Sequence, residues 1–228
     1  MKKKIKNIVN KKNKSKIISL TAYSKKIAEI LDKHCDIVLV GDSMANVLYG
    51  LDSTHKININ NIIQHTLSVK KGIKRSLLVV DMPKGTYSNK VKARKNASYI
   101  MKKTKCDAVK LESNNKNYNI IQYLVKSKIP VMGHIGYTPQ FKKKFKIEGQ
   151  TQAKAQKLLK EAKLIEKAGA FSIVLECITP KTAKLITANI KIPTIGIGSS
   201  SFCDGQILVT DDMLGISGFY PKFVKKYA

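Results

Sequence analysis

Short apolar runs recur along the chain, each closing on polar residues and each followed by a stretch with helical periodicity. The runs are Ile17–Ala22, Ile37–Val40, Leu77–Val80, Ala108–Leu111, Pro130–Gly133, Ser172–Leu175, Thr194–Ile197 and Ile207–Val209. They are continuous rather than alternating, the pattern of parallel strands covered on both faces. Between them the periodicity predicts helices over Ser24–His34, Asn60–Gly72, Lys90–Thr104, Lys116–Lys128, Thr151–Ala168 and Pro180–Asn189. The fifth carries the clearest stripe, with Ala153, Ala155, Leu158, Leu159, Ala162, Leu164 and Ile165, and Gly169 stops it. Eight strands alternating with helices predict an α/β fold of one domain, a (β/α)8 TIM barrel, rather than an open doubly wound sheet. No GxGxxG follows the first strand, and the loop at Gly196–Ser199 lacks the lysine of a phosphate-binding P-loop.

This pattern divides the chain into a basic N-terminal segment, residues 1–16, and the barrel, residues 17–228. Two connections, Ser43–Asn60 and Gly136–Gln150, are long for a strand-to-helix loop and are expected at the rim where functional insertions gather. After strand eight, the stretch up to Ala228 leaves the C-terminal helix shortened or missing. Apolar barrel surface is then expected to be covered by another copy of the chain, which makes a homo-oligomer the expectation.

The polar strand ends carry the candidate chemistry. They are Gly41-Asp42-Ser43, Asp81-Met82-Pro83, Lys110-Leu111-Glu112, Gly133-His134-Ile135-Gly136 and Leu175-Glu176-Cys177. A TIM barrel gathers such positions on its carboxyl-end rim. One acid after a strand is ordinarily the cap of the next helix. Four acids gathered with a lysine and a histidine repel one another unless a cation or a shared proton compensates. All-oxygen ligation points to Mg²⁺ or a similar hard ion rather than zinc. Asp204 and Gln206 precede strand eight, where a structural turn is the expectation.

Composition narrows the class. The chain has 228 residues and 43% hydrophobic content, ordinary for one compact globular domain. No apolar run approaches the ~20 residues that cross a bilayer. The four cysteines, Cys35, Cys106, Cys177 and Cys203, form no CxxC pair, which fits reduced thiols in a cytoplasmic protein. The net charge of +28 invites a nucleic-acid reading. Against it, only Arg75 and Arg94 are arginine, and the lysines are spread over the whole chain. Base readout relies on arginine's fork, so a solvated lysine surface without a specific nucleic-acid partner is the expectation.

The strand-end motifs occur in order together with Gly50-Leu51-Asp52-Ser53-Thr54, Tyr137-Thr138-Pro139-Gln140, Cys203-Asp204-Gly205-Gln206 and Tyr220-Pro221-Lys222-Phe223. The ordered set resembles the ketopantoate hydroxymethyltransferase (3-methyl-2-oxobutanoate hydroxymethyltransferase) family over nearly the whole chain. The resemblance implies a Mg²⁺-dependent barrel that forms large homo-oligomers. It implies transfer of a one-carbon unit from 5,10-methylenetetrahydrofolate to 3-methyl-2-oxobutanoate, giving 2-dehydropantoate for pantothenate and coenzyme A, through a Mg-stabilised enolate. By the same resemblance Asp42, Asp81 and Glu112 hold the metal. Asp42, Ser43, Asp81, Lys110 and His134 contact substrate, and Glu176 is the proton acceptor. The chain departs from the family pattern at Ser24, Lys84, Gln150 and Gly198-Ser199-Ser200. Two other readings stay open on the residues alone. One is a barrel lyase or mutase acting on a metal-bound 2-oxo acid, separated by whether a folate donor is needed. The other is a remnant that kept the fold and lost catalysis.

Overall fold

The computed structural model describes residues 3–113, 117–142, 144–218, 221–225 and 227. Lys116 and Tyr220, which belong to a predicted helix and a quoted motif, lie outside them. The expected barrel is the fold observed. In chain order the elements are α1 (Lys3–Val9), β1 (Ile17–Thr21), α2 (Lys25–Leu31), β2 (Ile37–Val40), α3 (Met44–Val47) and α4 (Ile59–Lys70). Then follow β3 (Leu77–Asp81), α5 (Lys90–Thr104), β4 (Ala108–Glu112), α6 (Tyr118–Lys126), β5 (Val131–Gly136) and α7 (Gln152–Lys167). The chain continues through β6 (Ser172–Glu176), α8 (Pro180–Asn189), β7 (Thr194–Ile197), β8 (Gly205–Leu208) and α9 (Thr210–Met213). The strands pair in parallel from β1 to β8, and β8 closes on β1 from Ile17↔Gly205 to Leu20↔Leu208.

Successive strand residues face opposite sides, and this alternation builds two cores. Ile37, Leu39, Leu77, Val79, Ala108, Met132, Val174, Ile195 and Ile207 point into the barrel and form one cluster. Val38, Val40, Leu78, Val80, Val109, Leu111, Ile135, Ile173 and Leu175 face outward and pack in the helical layer. Ile5 and Ile8 of α1 join the inner cluster, so the start of the chain plugs the amino end of the barrel. Helix approach is close where a side chain is missing. A Cβ on Gly133 of β5 would lie 2.6 Å from Ile165 Cγ2 of α7.

Two strand boundaries move by two residues or more from the sequence expectation. Strand five runs on through His134 to Gly136, which puts His134 inside the strand. Strand eight begins two residues early, at Gly205, because it pairs there with both Ile17 and Ile195. After β8 the described residues contain the four-residue helix α9. No helix among the described residues is long and apolar enough to cross a membrane.

Candidate active site

The alternation that fills the barrel with aliphatic side chains brings polar ones inward at the next level. Asp81 stands two residues beyond Val79, Lys110 and Glu112 follow Ala108, His134 follows Met132, and Glu176 follows Val174. Four neighbouring strands thus deliver five charged or titratable groups to one end. Asp42 and Ser43 come from the turn immediately after β2.

The groups are linked by direct contacts. Lys110 Nζ is 2.7 Å from Asp81 Oδ1, and Asp81 Oδ2 accepts the Asp42 backbone N–H at 3.1 Å. Gln140 donates from Nε2 to Asp42 Oδ2 at 2.8 Å, and its backbone N–H donates to Glu112 Oε2 at 2.9 Å. The Tyr87 hydroxyl donates to Gln140 Oε1 at 2.5 Å. Ser43 Oγ shares a hydrogen bond of 2.8 Å with the Tyr23 hydroxyl. His134 lies between two acids, its Nε2 3.1 Å from Glu176 Oε2 and its Nδ1 3.8 Å from Glu112 Oε1. Neither approach has hydrogen-bond alignment, so both ring nitrogens are buried without an aligned partner.

Beside Glu176 the backbone is tightly set. Gly136 has φ +98°, and a Cβ there would fall 2.1 Å from the Glu176 carbonyl oxygen. Only glycine allows β5 to end this close to β6, where the Tyr137 N–H donates to that carbonyl at 2.8 Å. The next residue, Cys177, holds φ at +51° and its thiol is buried. Burial, and then the Glu176 charge, push the thiol pKa up to about 12, which leaves a protonated sulfur rather than a nucleophile.

Charge in this pocket is unbalanced. Burial, followed by the repulsion of Asp81, raises the Asp42 carboxyl to about 7. Burial and the Asp42 charge hold Glu112 well above the usual carboxylate range. Burial works against the Lys110 ammonium, yet Asp81, Asp42 and Glu112 together hold its pKa above that of an ordinary lysine. Burial and then Lys110 lower the His134 pKa, against the pull of Glu176.

The structure therefore brings together all seven residues singled out in the sequence: Asp42, Ser43, Asp81, Lys110, Glu112, His134 and Glu176. Three others had no assigned role. Tyr23 and Tyr87 support Ser43 and Gln140, and Gln140 links two of the acids. The signal for Gln140 was the long Gly136–Gln150 connection, which folds back over the rim. Lys84 stays outside, with Nζ 3.0 Å from His55 Nδ1 at the surface. Asp204 belongs to the opposite end, where it accepts from Asn13 N, Lys12 Nζ, Thr194 N and Thr194 Oγ1.

Comparison with known proteins shows the family and the fold. The family model described as ketopantoate hydroxymethyltransferase matches residues 2–228. The 3-methyl-2-oxobutanoate hydroxymethyltransferase of Pelagibacter ubique (strain HTCC1062) is 55% identical over 228 residues, covering 100% of this chain and 89% of that one. The enzyme of the same name from Anaplasma marginale (strain St. Maries) is 48% identical over 225 residues, 97% of this chain and 81% of its own. Among solved structures, a phosphoenolpyruvate phosphomutase from Streptomyces platensis subsp. rosaceus matches with TM-score 0.71 at 10% identity, over 94% of this chain and 83% of that one. A phosphonopyruvate hydrolase in complex with oxalate and Mg²⁺ matches with TM-score 0.69 at 10% identity, over 90% and 80%. At such identities the last two bear on the fold alone.

Proposed function

The chain belongs to the ketopantoate hydroxymethyltransferase family and is an enzyme, a transferase, and from that premise we propose its reaction in detail. It moves a hydroxymethyl group from 5,10-methylenetetrahydrofolate to 3-methyl-2-oxobutanoate, giving 2-dehydropantoate for pantothenate and coenzyme A. The observation that carries this reading is one rim on which three buried carboxylates, a buried lysine and a fourth carboxylate, Glu176, converge.

A hard divalent cation fits the donor set. Among the described residues no three His, Cys, Asp or Glu side chains form a ready-made metal cage. Mg²⁺ does not need one, because it retains waters and commonly takes one or two carboxylates together with substrate oxygens. Asp42, Asp81 and Glu112 outnumber Lys110, and burial followed by mutual repulsion raises the Asp42 and Glu112 carboxyls, a cluster that a cation would stabilise. These three residues would hold Mg²⁺. Bound there, it supplies a Lewis acid for the carboxylate and keto oxygens of a 2-oxo acid.

The chain's own residues do the rest. Lys110 offsets the substrate carboxylate while remaining paired with Asp81. Ser43 offers a hydroxyl held by Tyr23. Glu176 faces the pocket from β6, on the other side of His134 from Glu112, and takes the proton from C3 of the substrate. His134 stands between Glu112 and Glu176 without an aligned hydrogen bond to either, which suits a polar group brought by substrate. The four free cysteines are buried and suit a reducing cytoplasm, to which we assign the protein.

We also take the protein to be a homo-oligomer. Ile18, on the outward face of β1, is 53% exposed, whereas the outward Val38, Val80, Val109 and Leu175 are fully covered by helices. A second copy over this face removes that contrast. Sedimentation at micromolar concentration should give an oligomer, and a stable folded monomer would end this part of the reading.

One assay tests the reaction. Purified protein with Mg²⁺, 3-methyl-2-oxobutanoate and methylenetetrahydrofolate should release ketopantoate, and omission of the folate should stop it. Exchange of the C3 hydrogen into deuterated water should continue without folate. Product formed without folate, or no exchange with Mg²⁺ present, would overturn the proposal.

A further inference from the structure

Gln140 is 2% exposed and stands between two of the acids, on a loop rather than on a barrel strand. Its amide has one orientation that satisfies every neighbour. Nε2 donates to Asp42 Oδ2 at 2.8 Å and to the Met82 carbonyl at 3.1 Å, and Oε1 accepts the Tyr87 hydroxyl at 2.5 Å. Turned over, the amide would set its oxygen against two acceptors at once and leave Nε2 facing the hydroxyl. The backbone N–H of the same residue takes Glu112 Oε2 at 2.9 Å. One residue therefore occupies one oxygen of each acid. Asp42 Oδ1 and Glu112 Oε1 remain without a hydrogen-bond partner among the described residues. Asp81 differs, since Lys110 and the Asp42 N–H engage both of its oxygens.

We infer that Gln140 is a positioning residue that selects which carboxylate oxygens Asp42 and Glu112 turn toward a divalent cation, with Tyr87 fixing the direction of its amide. A glutamine is suited to the place because it donates twice and adds no charge. A glutamate would present a further acceptor to Asp42 and to the Met82 carbonyl. A carboxylate with one oxygen pinned loses little freedom when the other binds a metal, so the arrangement contributes affinity without touching the ion. The inference rests on the metal reading above, and its test separates the two.

The measurement is Mn²⁺ and Mg²⁺ affinity of the intact protein by titration calorimetry, alongside melting temperature. Gln140→Met keeps the side-chain length and the backbone bond to Glu112 but removes the bonds to Asp42, Met82 and Tyr87. It should weaken the cation by about tenfold or more, the usual scale for groups that support metal ligands. Tyr87→Phe removes only the hydroxyl that orients the amide and should weaken it less, by about threefold. Because Lys110 and Glu176 are untouched, excess Mg²⁺ should restore C3–H exchange in Gln140→Met, a rescue that general loss of folding would not permit. Wild-type affinity in Gln140→Met overturns the inference alone. Should that variant not fold, Tyr87→Phe decides, and wild-type affinity there overturns it. A wild-type protein that binds neither ion overturns the metal reading and the inference together.

Discussion

Asp42 and Asp204 are both nearly closed to water, at 6% and 7% exposure, at opposite ends of the same barrel, and their carboxyls shift in opposite directions. Burial raises both. At the amino end Asp204 receives Lys12 Nζ, two backbone N–H groups and the Thr194 hydroxyl, which more than undo that penalty. Asp32 does the same by accepting Lys74, Arg75 and Ser76 N–H groups at 2.8–3.1 Å, and its carboxyl too is held below the usual range. At the carboxyl end Asp42 has one side-chain donor, Gln140, and stands beside Asp81. Two things differ: Asp42 is enclosed more deeply than Asp204 or Asp32, and fewer donors reach it. One rim is satisfied internally and ties strands together. The other is left short of positive charge, and that shortage is what an ion and an anionic substrate can relieve.

The largest effect should come from the unsatisfied rim. Glu176→Gln keeps the shape of the side chain and removes its ability to accept a proton as a base. Exchange of the C3 hydrogen of 3-methyl-2-oxobutanoate should fall about 100-fold or more, while calorimetric binding of that acid stays near wild type. The melting temperature should hardly move. Wild-type exchange in this variant would remove Glu176 from the role. Asp204 could not replace it, because it lies at the other end of the barrel.

Asp204→Ala reverses the pattern. It strips partners from Asn13 N and from Thr194 N and Oγ1, while Lys12 keeps the Thr187 carbonyl at 2.7 Å. Because the lysine stays partnered, the cost should be about 2 kcal/mol of stability, the scale of buried donors left unmet. Urea denaturation reads it directly. The exchange rate per folded molecule should not change. A loss of rate at full folding would show that the two ends are coupled.

What the sequence made legible follows the same division. The strands were legible because a continuous apolar run that short fits little besides a strand covered on both faces, and the acids at their ends because a charge after such a run is conspicuous. His134 and Glu176 were legible for the same reason. Gln140 was not, since nothing in Thr138-Pro139-Gln140 fixes where a long loop returns. The plug by Ile5 and Ile8 was hidden in a lysine-rich stretch, where two apolar positions three apart make too short a stripe to read as a helix. Asp204 could be read as part of a turn, but its four donors come from residues about ten and 190 positions away, pairings that only closure of the barrel creates.

Acid stability sharpens the comparison further. The folded-state pKa values of Asp32 and Asp204 lie below the unfolded value of roughly 4. Each therefore contributes stability that is complete above that value and is lost as pH falls through the folded pKa. In Asp204→Asn that share disappears, so stability measured by urea at steps from about pH 5 to pH 2 should fall less steeply than in the wild type. Curves of equal slope would mean that the four donors do not hold the charge at Asp204.

The smallest effect should come from a member of the same amino-end rim that water still reaches. Asp36 repeats the Asp204 arrangement in outline, accepting the Ile18 N–H at 3.0 Å on the neighbouring strand and pairing with Lys11 Nζ at 2.6 Å. Its side chain is 23% exposed, against 4% for Asp204. Asp36→Asn keeps an oxygen for Ile18 and loses only the ion pair, which water and salt already screen. The expected cost is about 0.5 kcal/mol, the scale of a surface pair, and it should shrink further in about 0.5 M NaCl. Denaturant unfolding at two salt concentrations measures this. A loss as large as that of Asp204→Ala would mean that burial does not set the difference within the amino-end rim, and that strand position does.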